Sequence, residues 1–233
     1  IVIYFLGGVY LYFFQRSFIY FPTQEIEHNS LVKNMKIENE NIKVIVLNQN
    51  KQNAILYFGG RSESVANNIN DFKNTFPNHT VYLVNYRGYG GSTGEPTEKN
   101  LYNDATFIYN SISLKHKDIV VIGRSLGTGV ATYIASTSKI QKMVLVTPYD
   151  SILTMAEDKY PFYPIHYILE DQYNSINRVA EITIPSLILL ASTDETIDKK
   201  YSNNLIQEFS SSNLEVFTIA NSGHKNIIEK EEY

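Results

Sequence analysis

The feature that most constrains the fold is a repeated alternation of short apolar runs with longer, more polar stretches. The apolar runs span residues 54–58, 81–86, 119–122, 143–146, 187–190 and 216–219, and helical patterns occupy 64–76, 97–114, 126–137 and 199–209. Strands that alternate with helices predict a mostly parallel sheet with helices on both faces. Nearly unbroken apolarity predicts strands that are buried on both sides.

The body opens differently from the rest. Residues 35–38 and 43–47 predict an antiparallel pair joined by Asn39-Glu40-Asn41, so the predicted sheet has eight strands. The connections are short, and the sequence contains no internal repeat or low-complexity linker. We therefore interpret residues 23–233 as one α/β domain.

Composition excludes several classes of protein. The net charge is −4 without a basic cluster, which argues against a nucleic-acid partner. The absence of cysteine excludes disulfides, thiolate nucleophiles and thiolate zinc sites. None of the five histidines stands in an HExxH motif, and no phosphate-binding G-x-x-x-x-G-K-[ST] motif occurs. We predict neither a metal nor a cofactor; the oligomeric state stays open.

The amino end is strongly apolar. Residues 1–14 carry no charge, and Gln15-Arg16 end the run. Fourteen helical residues span about 21 Å, less than the roughly 30 Å of a bilayer core. We expect residues 1–22 to be a shortened membrane anchor and its lead-in, with the side of the membrane undetermined. A signal peptide, or a helix packed on the body, is the alternative.

A serine lies in a sharp turn between a predicted strand and a predicted helix. The sequence Gly123-Arg124-Ser125-Leu126-Gly127 follows the strand at 119–122 directly and precedes the helix at 126–137. This is the G-x-S-x-G pattern in the context that exposes a nucleophilic serine. Gly123 and Gly127 leave room for the turn, and the helix amino end favours a developing oxyanion. We predict that Ser125 is a nucleophile.

A serine nucleophile needs a base, and the base needs an acid. On a parallel sheet such groups gather at the carboxyl ends of strands. His224 follows the last predicted strand in a loop, so we predict that it is the base. Asp194 follows the strand at 187–190 and is the predicted acid. Asp150, after the strand at 143–146, is its rival, with a helix N-cap as its simpler role.

Two further loops contribute to the predicted site. Gly59-Gly60-Arg61 follows the first buried strand, and we predict that the backbone N–H groups of Arg61 and Leu126 form an oxyanion hole. The glycine-rich loop at 86–94 does not have the spacing of a dinucleotide-binding motif. We interpret it as a rigid turn at the floor of the site that Arg87 holds by hydrogen bonds; substrate contact by Arg87 is the alternative.

In these features the chain resembles the alpha/beta hydrolase superfamily, and most closely its small membrane-anchored branch, which includes the fungal bud-emergence type and animal protein depalmitoylases. The segments that carry the resemblance are 17–22, 57–60, 85–96, 123–127, 147–151, 194 and 223–224. The resemblance implies an alpha/beta hydrolase fold and a triad of Ser125, Asp194 and His224. It also implies hydrolysis of carboxylic esters or thioesters, acyl or lipid-like, through an acyl-enzyme.

The chain departs from this family in two places. Many relatives have His-Gly where this chain has Gly59-Gly60, which leaves a backbone donor possible. Only about forty residues separate the strands at 143–146 and 187–190, so we expect a minimal cap, at most an aromatic flap over 160–173, and an open site. Packing of those aromatic residues on the sheet edge is the alternative. For the whole chain, the alternatives are a serine peptidase or amidase and a catalytically silent, membrane-tethered binding module.

Overall fold

An eight-stranded sheet forms the centre of the part of the chain that the structure describes. The computed structural model describes residues 2–210 and 212–233. Its strands are β1 (Leu31–Ile37), β2 (Glu40–Leu47), β3 (Asn53–Phe58), β4 (His79–Val84), β5 (Asp118–Arg124), β6 (Lys142–Val146), β7 (Ser186–Ala191) and β8 (Leu214–Ile219). Their order is β1-β2-β4-β3-β5-β6-β7-β8. β2 pairs antiparallel with β1 and β4, and every other pairing is parallel.

Helices fill the intervals between strands. They are α1 (Val2–Ile19), α2 (Ile69–Thr75), α3 (Glu98–Ser113), α4 (Leu126–Thr137), α5 (Ile152–Lys159), α6 (Ile165–Ile168), α7 (Ile176–Val179) and α8 (Lys199–Glu208), with 3₁₀ turns at Val65–Asn68 and Asn226–Glu229. α3 begins where the sequence predicted, since the Thr97 side chain accepts a hydrogen bond from the N–H of Asn100. The helix predicted over 64–76 is instead a 3₁₀ turn followed by the short α2.

Both faces of the central strands are buried. Along β3, Ile55 and Tyr57 join one apolar cluster, which Phe72 of α2 completes. Leu56 and Phe58 join the larger cluster on the opposite face, which includes the buried stripes of α3 and α4. This is the mostly parallel, eight-stranded alpha/beta hydrolase fold with helices on both faces that the sequence predicted.

Two details of the sheet differ from the sequence prediction. The loop expected at 39–41 is a two-residue turn at Glu38-Asn39, because pairing continues to Ile37 opposite Glu40. β8 was expected to be buried on both faces, but Val216 is 40% and Phe217 55% exposed. Among residues 2–210 and 212–233, β8 lies at one end of the strand order, beside β7, so its outer part faces solvent.

The segment between β6 and β7 is short. It forms α5, α6 and α7, of 8, 4 and 4 residues, rather than one full crossover helix. α7 packs between α4 and α8, while α5 and α6 lie against each other and α6 contacts α1. The cap is therefore minimal, and α1 lies beside it.

Candidate active site

Ser125 lies in the turn between β5 and α4. Its φ of 50° and ψ of −118° are strained for a residue with a side chain. The two flanking glycines are required by contact: a Cβ at Gly123 would overlap the carbonyl oxygen of Gly127, and one at Gly127 would overlap that of Phe58. The turn therefore places the serine at the edge of the sheet where the parallel strands end.

The structure brings His224 and Asp194 to this serine. His224 Nε2 lies 2.9 Å from Ser125 Oγ, and His224 Nδ1 lies 2.9 Å from Asp194 Oδ2. His224 stands 99 positions after Ser125 and 30 positions after Asp194 in the chain, and the three side chains are almost fully buried. With the proton on Nδ1, the imidazole can accept the serine proton on Nε2.

Asp194 is held as an anion. Its Oδ1 accepts hydrogen bonds of 2.8 Å from the backbone N–H groups of Thr196 and Ile197, which leaves Oδ2 for His224. Burial alone would raise the pKa of Asp194, yet the hydrogen bonds from His224 and the two N–H groups outweigh burial and lower it. A charged carboxylate in this position can stabilise an imidazolium on His224.

The rival acid lies elsewhere. Asp150 accepts hydrogen bonds from the N–H of Ser151 and from Asn204 Nδ2, and burial raises the pKa of its carboxyl. The N-cap of α5 is Ser151 and not Asp150, because the Ser151 Oγ accepts from the N–H of Thr154. Asp194, and not Asp150, contacts His224.

The proposed oxyanion donors lie beside the serine. Arg61, Leu126 and Ser125 line one cavity. Within residues 2–210 and 212–233, neither the N–H of Arg61 nor that of Leu126 has a hydrogen-bond acceptor. The Arg61 carbonyl, in the next peptide unit, accepts from the N–H of Phe21 and the hydroxyl of Tyr89, which holds the residue at this place in the loop. Two backbone donors therefore stay free beside Ser125.

Arg87 does not line this cavity. It is buried and forms two hydrogen bonds of 2.9 and 2.8 Å with Asp104, and a third of 3.1 Å with Glu38. These contacts tie the glycine-rich loop to α3 and to the β1–β2 turn. Arg87 thus holds the loop by hydrogen bonds and lies away from the cavity beside Ser125.

Sequence reasoning missed a buried ion pair behind the site. Glu63 Oε2 accepts from the N–H of Gly60 and from Arg124 Nη1, both at 2.8 Å. Arg124 Nη2 also donates to the carbonyls of His224 and Lys225. The pair thus connects the Gly60–Arg61 loop, the serine turn and the histidine loop. The available signal was the position of Glu63, three residues after Gly60, at which a carboxylate can bond back to a backbone N–H.

The cavity beside Ser125 has a volume of about 300 Å³ and mostly apolar walls. Three helices supply half or more of its lining: Leu11, Gln15, Phe18 and Ile19 of α1, Ile152, Met155, Ala156 and Lys159 of α5, and Ile165 and Ile168 of α6. The sequence predicted an open site under a short flap. The site is more enclosed than that, because α1 adds a wall that the short cap lacks.

The described residues offer no metal centre. No group of three or more His, Asp or Glu side chains lies close enough to hold an ion within residues 2–210 and 212–233. The reactive groups that the structure places together here are the serine hydroxyl, the imidazole, the carboxylate and two backbone N–H groups.

Known proteins share this sequence pattern and fold. A family model described as the alpha/beta hydrolase fold matches residues 53–163. An uncharacterized protein of Mycobacterium tuberculosis is 32% identical over 131 residues, which cover 54% of this chain and 47% of the relative. Alpha/beta hydrolase domain-containing protein 17B of Homo sapiens is 30% identical over 125 residues, which cover 52% of this chain and 42% of the relative. The chain thus spans about half the length of the curated relatives it matches.

Solved structures match over more of the chain. The esterase Pf2001 of Pyrococcus furiosus superposes with a TM-score of 0.70 at 16% identity, covering 92% of this chain and 93% of the esterase. A monoacylglycerol lipase of Paleococcus ferrophilus superposes with a TM-score of 0.60 at 15% identity, covering 79% of this chain and 90% of the lipase. Together, the family model, these relatives and the superpositions show that the chain shares the alpha/beta hydrolase fold and is similar in sequence to proteins of that superfamily.

Proposed function

We propose that this protein is a serine hydrolase that cleaves carboxylic ester or thioester bonds through an acyl-enzyme. The observation that carries the proposal is the position of the His224 imidazole, 2.9 Å from the Ser125 hydroxyl on one side and 2.9 Å from the Asp194 carboxylate on the other. That is the arrangement in which a histidine can activate a serine and be oriented by an acid.

In the first half-reaction, Ser125 Oγ attacks the substrate carbonyl carbon and its proton passes to His224 Nε2. The carbonyl oxygen becomes an oxyanion, which accepts hydrogen bonds from the free N–H groups of Arg61 and Leu126. The amino end of α4 adds its positive dipole. The carbon–oxygen or carbon–sulfur bond then breaks, His224 returns the proton to the leaving group, and the acyl group stays on Ser125.

In the second half-reaction, water attacks the acyl-enzyme. His224 accepts a proton from the water. The bond between the acyl carbon and Ser125 Oγ then breaks, and His224 passes the proton to Oγ, which releases the acid and restores the serine hydroxyl. Asp194 stabilises the imidazolium in both steps. Each half-reaction uses the same base and the same oxyanion donors, so one site suffices.

The apolar cavity supports an acyl or lipid-like substrate. Its walls are mainly Leu, Ile, Met and aromatic side chains, which favour burial of hydrocarbon. Membrane association through residues 1–22 belongs to the same proposal. α1 has a mean hydropathy of 1.3 over 18 residues, of which only 17% are buried.

Labelling with a fluorophosphonate probe tests the proposal. The wild type is expected to react covalently, and Ser125→Ala is expected not to. Ser202→Ala is the matched control, because Ser202 is also buried but bonds to the carbonyl of Pro148, away from the cavity lining. Failure of correctly folded wild type to react would contradict the proposal and favour a silent binding module.

Rates on defined substrates then separate the hydrolase classes. We expect nitrophenyl esters and acyl thioesters to be cleaved, with aminoacyl anilides far slower. His224→Gln should lower kcat by about 10⁶, the effect known for other triads. Cleavage of the anilides alone would instead identify a peptidase.

A further inference from the structure

Helix α1 is bound to the cap along its whole length. Near its start, the Tyr4 hydroxyl donates to the carbonyl of Phe162 at 2.6 Å, and the Tyr4 ring stacks on Tyr163 with centroids 4.8 Å apart. A Cβ at Gly7 would overlap the Tyr163 hydroxyl, so helix and cap approach as closely as glycine allows. The first two turns of α1 therefore lie against the body and do not project from it.

The second half of α1 is held by polar contacts. The Gln15 amide donates to the carbonyl of Ile168 at 3.1 Å and accepts from the N–H of Glu170 at 2.7 Å, and its side chain is buried. Arg16 pairs with both Glu170 and Asp171. Withdrawal of the helix would leave these buried or paired groups unsatisfied, which is costly. The contacts thus fix α1 along the cap.

The opposite face of α1 packs against no other helix or strand among the described residues. Val2, Leu6 and Phe13 share this face by helical spacing, and they are 70%, 59% and 74% exposed. Phe162 and Tyr167 of the cap are also largely exposed. No charged residue occurs between positions 2 and 15. We call Val2, Leu6, Phe13, Phe162 and Tyr167 the outer apolar surface.

The other side of the same helix forms one wall of the cavity beside Ser125. Leu11, Gln15 and Ile19 point inward, and with Phe18 they line the cavity that contains Ser125. One helix therefore separates the outer apolar surface from the nucleophile. A hydrocarbon chain that moves past α1 from the outer apolar surface into the cavity therefore stays in apolar surroundings and does not enter water.

We propose that α1 lies in the plane of a lipid bilayer and that the cavity takes a long acyl chain that enters from that bilayer. The outer apolar surface contacts the hydrocarbon, while Tyr10 and Tyr12, on the two flanks of this face, suit the level of the headgroups. The absence of charge between positions 2 and 15 of α1 favours lipid over a protein partner, whose interface normally has a polar rim. The choice of substrate rests on the proposed hydrolase function; the position of α1 does not.

Depth measurements in vesicles test the position of α1. The chain has no cysteine, so Leu6→Cys and Phe13→Cys each give a single attachment point for a fluorophore. With phosphatidylcholine vesicles that contain brominated lipids, an in-plane helix places both probes at the same depth. A spanning helix would separate them by about 10 Å, since seven residues rise about 1.5 Å each. Unequal depths of that size, or no quenching at all, would overturn the proposal.

Paired rates test entry from the bilayer. For Leu6→Ser/Phe13→Ser, hydrolysis of a palmitate ester in vesicles should fall about tenfold relative to hydrolysis of soluble nitrophenyl butyrate. Leu114→Ser, at a site 96% exposed on the far end of α3, is the matched control and should leave both rates unchanged. An unchanged ratio in the double variant would refute entry from the bilayer.

A cavity-filling variant tests the acyl site itself. Ala156→Phe fills the cavity from α5 without a change in α1, and should lower the palmitate-to-butyrate ratio about tenfold while vesicle binding persists. Leu11→Trp, which fills it from α1, should do the same. An unchanged ratio in both folded variants would remove the cavity as the acyl site. If the folded wild type does not react with the fluorophosphonate probe, that result would instead contradict the hydrolase function, whatever the depth measurements show.

Discussion

Replacement of Glu63 by glutamine should destabilise the protein strongly, because the glutamate is the acceptor for a buried arginine. The two side chains are 8% and 10% exposed, and the Glu63 carboxylate accepts from Tyr57, Asn68, the N–H of Gly60 and Arg124. In Glu63→Gln, an amide NH₂ replaces one oxygen. An NH₂ directed at Gly60 and Arg124 would face two donors, and one directed at Tyr57 and Asn68 would require that hydroxyl and amide to turn and accept. In either orientation Arg124 loses its anionic partner.

The magnitude follows from the burial of the pair. Removal of one partner from a buried ion pair costs about 3–5 kcal/mol. For 233 residues, the entropy of unfolding is about 0.5 kcal/mol/K, so the melting temperature should fall by about 6–10 °C. kcat should fall by about 10²-fold, because the loops that carry Arg61 and His224 lose their common support.

Thermal unfolding and ester hydrolysis measure the two effects. Glu63→Asp keeps the charge and should lose less stability than Glu63→Gln. Lys200→Gln is the matched control, because it breaks an ion pair with Asp158 in which both side chains are about half exposed. A fall in melting temperature of less than about 2 °C for Glu63→Gln, or one no larger than in the control, would refute the reasoning.

Further expectations concern the site and the turn. Asp194→Asn should lower kcat by about 10⁴, whereas Asp150→Asn should stay within a few-fold of the wild type; comparable losses in kinetic assays would reverse the assignment of the acid. Arg61→Ala should cost less than about tenfold in kcat/KM, since a backbone donor survives it, and a larger loss would show that the side chain itself acts. Gly127→Ala should lose about 3 kcal/mol or more in urea unfolding, because its methyl group meets a backbone carbonyl, and an unchanged midpoint would contradict that contact. Because the pKa of Asp194 is lowered in the folded state, its ionised form stabilises the protein above about pH 4 and ceases to do so as the pH falls through the folded value. The stability difference between wild type and Asp194→Asn, measured by urea unfolding across pH, should shrink only below about pH 4, and a difference independent of pH would contradict the assignment.

Much of the fold could be predicted from the sequence because it depends on local patterns. Apolar runs of strand length and stripes of helical spacing recur along the chain. Such periodicity can be recognised within one segment of the sequence, whatever residues that segment contacts in the fold. The glycine-flanked Ser125 was visible for the same reason. His224 and Asp194 needed one further step, the rule that the carboxyl ends of parallel strands share an edge.

Other features were decided only by the tertiary structure. The exposure of β8 depends on its place at the end of the sheet and not on its own apolar residues. Glu63 and Arg124 are 61 positions apart, and neither belongs to a repeating sequence pattern from which their pairing could be predicted. The apolar run of α1 was evident, but one face of it becomes a wall of the cavity only because a cap some 150 residues away packs against it. The periodicity of a segment shows which of its faces is apolar, whereas the order and direction of the other elements in the fold determine what covers that face.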